Sequence, residues 1–169
     1  EMLTQITCKG ESIMSADVWK TLLTGKSPNG RKAKFPMPVA AMVRSLRHLV
    51  EKNVIRMDDT QTLDHIESIL HNPEALRKSR IHPISLLVAH KALTSSNAWG
   101  NAPRLCDILE KSIDVSWDNV GGTGKRLFIA VDVSGSMNAP IDSGGRIQPI
   151  TCCEFAAVLA LQVAKKEKN

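Results

Sequence analysis

The sequence predicts a mainly α-helical protein, a series of short stacked helices followed by the opening strand and helix of an α/β unit. Three observations carry this. Apolar residues recur at three- and four-residue spacing through the first two-thirds of the chain. Prolines at 38, 73, 83 and 103 stand where helices start, since a first-turn position needs no backbone N–H. After Trp117 the pattern changes to a glycine-rich stretch, an uninterrupted apolar run and one more amphipathic segment. At 169 residues with 43% hydrophobic and 23% charged, the composition is that of an ordinary globular protein and excludes collagen-like, disordered and disulfide-dense classes.

The elements follow in order. Ser15 caps a first helix with Val18, Trp19, Leu22 and Leu23 inward, and Gly25 ends it. Residues 26–34, KSPNGRKAK, form a turn-rich basic loop. Pro38 suits the first turn of a second helix that runs to about Asn53, with Val39, Met42, Val43, Leu46, Leu49 and Val50 on one face and Arg44, Arg47 and Lys52 on the other. The third helix follows Asp58, Asp59 and Thr60 and turns Leu63, Ile66, Ile69 and Leu70 inward. Pro73 opens a short helix to Arg80. Pro83 opens one bearing Ile84, Leu87, Val88 and Ala92, and Pro103 one bearing Leu105, Ile108 and Leu109. Stripes this short must be buried against neighbours, either in a helical solenoid or in a bundle. Residues 126–132, RLFIAVD, read as a buried parallel strand, residues beyond it as a polar loop through Gly144 and Gly145, and residues 150–166 as a helix with lysines at its negative end.

The formal charge of +5 conceals a segregation. Residues 20–56 carry nine basic side chains and one acid, a local +8 that leaves the rest of the chain at −3. With no Tyr, three Phe and three Trp, a base-stacking sheet is excluded, so nucleic-acid contact would be electrostatic. Lys26, Arg31, Lys32, Lys34, Arg44 and Arg47 are the candidates from this segment. Arg80 and His82 join them because Pro83 forces the preceding residue out of the helix and presents both at a junction. Five histidines without HExxH or finger spacing argue against zinc, and four cysteines without a CxxC pair point to a reducing, cytoplasmic setting. No apolar run approaches a membrane span. The chain starts at Glu1 and reads as a fragment.

Asp132, Ser134 and Ser136 follow the apolar run as D-x-S-x-S, and alternate residues of one loop bring a carboxylate and two hydroxyls together. Such hard oxygens suit Mg²⁺ and supply part of its shell. Three enzymatic readings fail on spacing. GGTGK at 121–125 has Asn119 where a phosphate loop needs glycine and Arg126 where it needs Ser or Thr; Ser134 lacks the G-x-S-x-G frame; and a phosphotransferase D-x-D needs an acid at 134.

The segments VWKTLL at 18–23, PMPVAAMVRSLRHL at 36–49, RKSRIHPISLLVAHKAL at 77–93 and TGKRLFIAVDVSGSM at 123–137 together resemble the Ro autoantigen family, the SS-A/Ro ribonucleoproteins. The resemblance implies that residues 1–120 are the last HEAT-like helices of a TROVE ring. It implies that residues 126–169 open a von Willebrand factor A domain, so that the chain spans the junction of two incomplete units. It implies a cytoplasmic RNA-binding protein, not an enzyme, that binds Y RNA on the ring and misfolded noncoding RNA in its hole, for RNA quality control and stability. No membrane or DNA partner is implied. Asp132, Ser134 and Ser136 match the first motif of a metal-ion-dependent adhesion site, with Mg²⁺ as the occupant and further ligands beyond Asn169. The basic loop at 26–34 is longer than the family has there, and residues 140–145 have no counterpart. An alternative of a different class is a protein-interaction module in which Mg²⁺ at Asp132 captures a partner's carboxylate.

Overall fold

The computed structural model describes residues 15–26, 36–56, 58–95, 103–142 and 147–167. It is mainly helical. In chain order come α1 (Ala16–Thr24), α2 (Val39–Glu51), α3 (Thr60–Leu70), α4 (Pro73–Ser79), α5 (Pro83–Thr94) and α6 (Pro103–Ser116), then a 3₁₀ turn (Trp117–Asn119) and another (Gly135–Asn138), β1 (Pro140–Asp142), β2 (Ile147–Thr151) and α7 (Cys152–Lys166).

Local chemistry sets most of the helix starts. The Asp59 carboxylate accepts from Thr62 N–H at 3.2 Å, and Asn72 Oδ1 from Glu74 and Ala75 N–H at 2.9 and 3.2 Å, each satisfying donors that the first turn leaves orphaned. Thr151 and Glu154 form a reciprocal capping box at α7. Ser15 occupies the expected N-cap position, but its side chain makes no capping bond, and Pro38 stands just before α2 rather than within it. Gly25 ends α1 at φ +68°, where a side chain would be strained.

Helices α1–α6 pool their stripes into one core from Trp19 to Leu109, in which Leu46, Leu49, Val50, Ile66, Leu70, Leu76, Leu86, Leu93, Leu105 and Leu109 are fully enclosed. Helix α5 packs against α2, α6 and β2; α3 packs against α1, α4 and α6. The α2 face lies where the periodicity puts it, with Val39 only partly covered. Two faces differ. In α1, Trp19 and Leu23 are buried while Val18 is exposed. In α5 the buried set is Pro83, Leu86, Ala89 and Leu93, whereas Ile84, Leu87, Val88 and Ala92 are half-buried. Helix α5 is apolar on nearly every side, so its own sequence selects no face, and its neighbours decide.

The expected buried strand at 126–132 is not one. Among the described residues this segment joins no sheet; Phe128 is 96% and Val133 78% exposed. An extended segment becomes a strand only through backbone partners, and apolar sequence does not supply them. The one sheet described is instead an antiparallel pair, β1 and β2, with Pro140 opposite Thr151 and Asp142 opposite Ile147 and an irregularity between. The sequence pattern reads this stretch as loop. Helix α7 begins at Cys152 rather than Ile150, because Ile150 lies in β2 and is buried.

Polar contacts tie α7 to the rest. Lys91 Nζ meets Glu154 Oε1 at 2.6 Å, and Lys166 Nζ meets Asp118 Oδ1 at 3.0 Å. The glycine-rich loop, which fails as a phosphate loop, cradles the chain's own carboxylate. Thr123 N–H, Thr123 Oγ1 and Gly124 N–H donate to Glu167 at 2.6, 2.8 and 2.9 Å. A Cβ on Gly122 would stand 2.8 Å from the Lys166 carbonyl oxygen, so this approach requires glycine. The Thr123 donors hold the Glu167 carboxyl below the usual range.

Truncating Leu49, fully buried in α2, is expected to cost about 2–5 kcal/mol of unfolding free energy, whereas Leu161→Ala at a half-exposed site should cost far less. Urea unfolding of both variants checks this, and equal losses would place the core elsewhere.

Candidate nucleic-acid interface

Among the described residues of the basic third, two cations are engaged by acids. Lys20 Nζ bonds Asp59 at 2.6 Å, and Arg47 Nε bonds Glu51 at 2.7 Å one turn away. Lys91, Lys165 and Lys166 are likewise paired with acids, and Arg104 is held by Asp64 and Glu67. Lys26 is exposed beyond the end of α1, and Arg44 is exposed on the outer side of α2 with no ion pair among the described residues. Arg31, Lys32 and Lys34 lie outside the described residues.

Arg80 and His82 come together as the junction argument expects. Arg80 ends α4 in the left-handed region at φ +52°, its N–H bonded to the Arg77 carbonyl. His82 caps α5, and its Nδ1 accepts from Ile84 N–H at 3.2 Å, which leaves Nε2 to carry the proton of the neutral ring. Between them Ile81 is buried, as are Leu76 before and Pro83 after, so the polar side chains are left outside. Together with Arg77, Asn119 and Val120 they line a cavity of about 270 Å³. Asn119 Nδ2 donates to the Ile81 carbonyl at 3.3 Å and closes one wall.

Sequence reasoning missed Arg77 and Asn119. For Arg77 a signal existed, the RKSR run at 77–80. Asn119 is brought in from 38 positions away by the turn after α6, which no local pattern reveals.

A second cavity, of about 370 Å³, is lined by Lys20 and Arg56 but also by Asp17, Asp58 and Asp59. Acids outnumber bases there, and Lys20 is already engaged. Burial would raise the Asp59 carboxyl, yet hydrogen bonds from Lys20 and Thr62 outweigh it and hold the group below its usual range.

The Asp132 loop is compact and fully exposed. Asp132 Oδ1 accepts from Ser134 N–H at 2.8 Å, and the Ser134 and Ser136 hydroxyl oxygens lie 3.0 Å apart. Adjacent ligands of an octahedral Mg²⁺ shell stand about 2.9 Å apart, so the hydroxyl pair has the spacing of two neighbouring positions. The Ser134 N–H and hydroxyl keep the Asp132 carboxyl below its usual range and hence anionic at neutral pH. These donors fit a hard divalent cation. No group of three or more His, Cys, Asp or Glu suited to a metal occurs among the described residues. Nor is any helix among them long and apolar enough to cross a membrane.

Residues 9–113 match the family described as the TROVE domain. The chain belongs to the TROVE family, that of the Ro autoantigen. TROVE relatives of known name are similar over most of its length. The RNA-binding protein RO60 of Caenorhabditis elegans is 34% identical over 156 residues, covering 89% of this chain and 22% of that protein. The RNA-binding protein RO60 of Deinococcus radiodurans is 31% identical over 134 residues, covering 76% of this chain and 25% of that protein. This TROVE chain thus spans a quarter or less of the length of these curated relatives.

The Asp59 contacts have a pH signature. A depressed carboxyl contributes stability that is fully present above its unfolded pKa of about 3.9 and is lost as pH falls through the folded value. Lys20→Met should therefore move the Asp59 carboxyl upward in an NMR titration and shift the onset of acid unfolding to higher pH. An unmoved Asp59 titration would show that Lys20 does not hold it.

Proposed function

We propose that this chain is the RNA-contacting part of a Ro-type RNA-binding protein. Its helices belong to a ring of HEAT-like repeats over residues 1–120, and residues 126–169 open a von Willebrand factor A domain. The observation that carries the reading is the family match over residues 9–113 combined with a set of cations that no acid neutralises among the described residues, Arg44 on α2 and Arg77 and Arg80 at the α4–α5 junction. Relatives named as RNA-binding proteins support it. The substrates are noncoding RNAs, Y RNA and misfolded small RNA, bound in the cytoplasm for quality control and stability. The work is done by binding and no catalytic group is assigned.

Phosphate contacts of this kind release counterions, so affinity falls steeply with salt without discriminating sequence. Lys26, Arg31, Lys32, Lys34, Arg44, Arg47, Arg80 and His82 are the proposed contacts. The ion pair with Glu51 makes Arg47 the weaker of the two on α2. In anisotropy titrations of the intact protein with noncoding RNA across a salt series, Arg44→Gln should weaken binding and flatten log K against log salt by about 0.7–0.9 for each phosphate that the side chain neutralises. Arg47→Gln should do less. A protein whose RNA affinity ignores salt would overturn the reading.

A second reading rests on the 3.0 Å hydroxyl pair beside Asp132. Asp132, Ser134 and Ser136 would hold Mg²⁺, whose remaining positions could take a carboxylate of a protein partner. Calorimetric titration of the intact protein with Mg²⁺ should show binding that Asp132→Ala abolishes while RNA affinity is kept. Metal binding that survives the substitution would remove Asp132 from the site.

A further inference from the structure

Two cavities among the described residues differ in one decisive respect. The larger is lined by two bases and three acids, with Lys20 already bonded to Asp59. The smaller, of about 270 Å³, has two arginines, a histidine and an asparagine, and no acid in its lining. Among the described residues neither arginine has an ion pair, while six other cations of this chain do. Guanidinium forks, an imidazole whose Nε2 is left to donate by the Nδ1 contact with Ile84 N–H and a concave wall are the recognition chemistry of a tetrahedral oxyanion.

We propose that this cavity seats a single RNA phosphate held jointly by Arg77, Arg80 and His82, and that Asn119 positions the site from the turn after α6. The proposal rests on the RNA-binding reading above and deepens it by naming the group bound and the residues that share it. Three features argue for a shared pocket over two independent surface charges. Arg77 and Arg80 lie one helical turn apart at the end of α4, with the Arg80 N–H bonded to the Arg77 carbonyl. Arg80 is fixed in the left-handed region, a conformation disfavoured for arginine, while buried Leu76 and Ile81 anchor the chain on both sides. Asn119 grips the Ile81 carbonyl from the turn after α6, beyond the matched residues 9–113. The segment that leaves the helical unit therefore forms part of the wall, and RNA occupancy is linked to the position of that segment.

Left-handed φ makes Arg80→Gly a clean probe, because glycine adopts φ +52° without strain and only the guanidinium is removed. The intact protein is titrated with a single-stranded oligouridine over a salt series. Arg80→Gly and Arg77→Gln should each flatten the slope of log K against log salt by about 0.7, the value for one single-strand phosphate. The double variant should flatten it by the same about 0.7, because loss of either guanidinium releases the one phosphate that needs both. Asn119→Ala should weaken binding by about two- to tenfold, the size of one hydrogen bond, with the slope unchanged, since no charge is removed. A double variant whose slope flattens by about 1.4 would mean two separate phosphates and overturn the shared site. Wild-type slopes in Arg80→Gly, beside normal wild-type binding, would also overturn it yet leave the RNA-binding reading intact. Unchanged affinity in Asn119→Ala would remove the linker from the site. Salt-insensitive binding by the wild type would overturn the RNA-binding reading itself.

Discussion

None of the helices α1–α6 exceeds 14 residues, a length at which an isolated helix is marginal in water, so the apolar side chains that they pool are the interaction on which every other feature depends. Helix α5 shows this most clearly. It is covered by α2, α6 and β2, and the enclosure of Leu86 and Leu93 fixes which face it turns inward. The helix starts at the His82–Pro83 step, and the burial of Leu76 and Ile81 anchors the preceding turn. The surface chemistry at the junction is thus a consequence of core packing: the residues between the anchors have nowhere to go but outward.

Electrostatics then sorts the outward cations into two groups. Those near an acid are engaged in joining elements, as Lys91 with Glu154 and Arg104 with Asp64 and Glu67. Among the described residues Arg44, Arg77 and Arg80 have no acid partner and stay available for a ligand. Exposed pairs contribute little stability singly, and their main effect here is to decide which positive charges remain free. The same principle works in reverse at the glycine-rich loop. Its N–H donors are turned toward Glu167, so a segment that resembles an anion cradle is filled from within.

Much of the helical part was legible in the sequence. Prolines at helix starts, the Asn72 cap and the α2 face of Met42, Leu46, Leu49 and Val50 are local properties, set by φ restriction, orphan N–H groups and a 3.6-residue period. The compactness of the Asp132 loop was legible too, because two-residue spacing brings alternate side chains together. The α5 face was not, since a helix apolar on nearly all sides carries no directional information.

By itself, then, the sequence determined most of the helix starts and the family, and it named part of the candidate ligand set. Only the tertiary structure decided which charges are neutralised, that Arg77 and Asn119 share a cavity with Arg80 and His82, and that the apolar run at 126–132 stands exposed and joins no sheet among the described residues. The reason is range. Caps and periodicity act within a turn or two of chain, whereas ion pairs, cavity walls and strand ladders need partners tens of residues away, and those are brought in by packing.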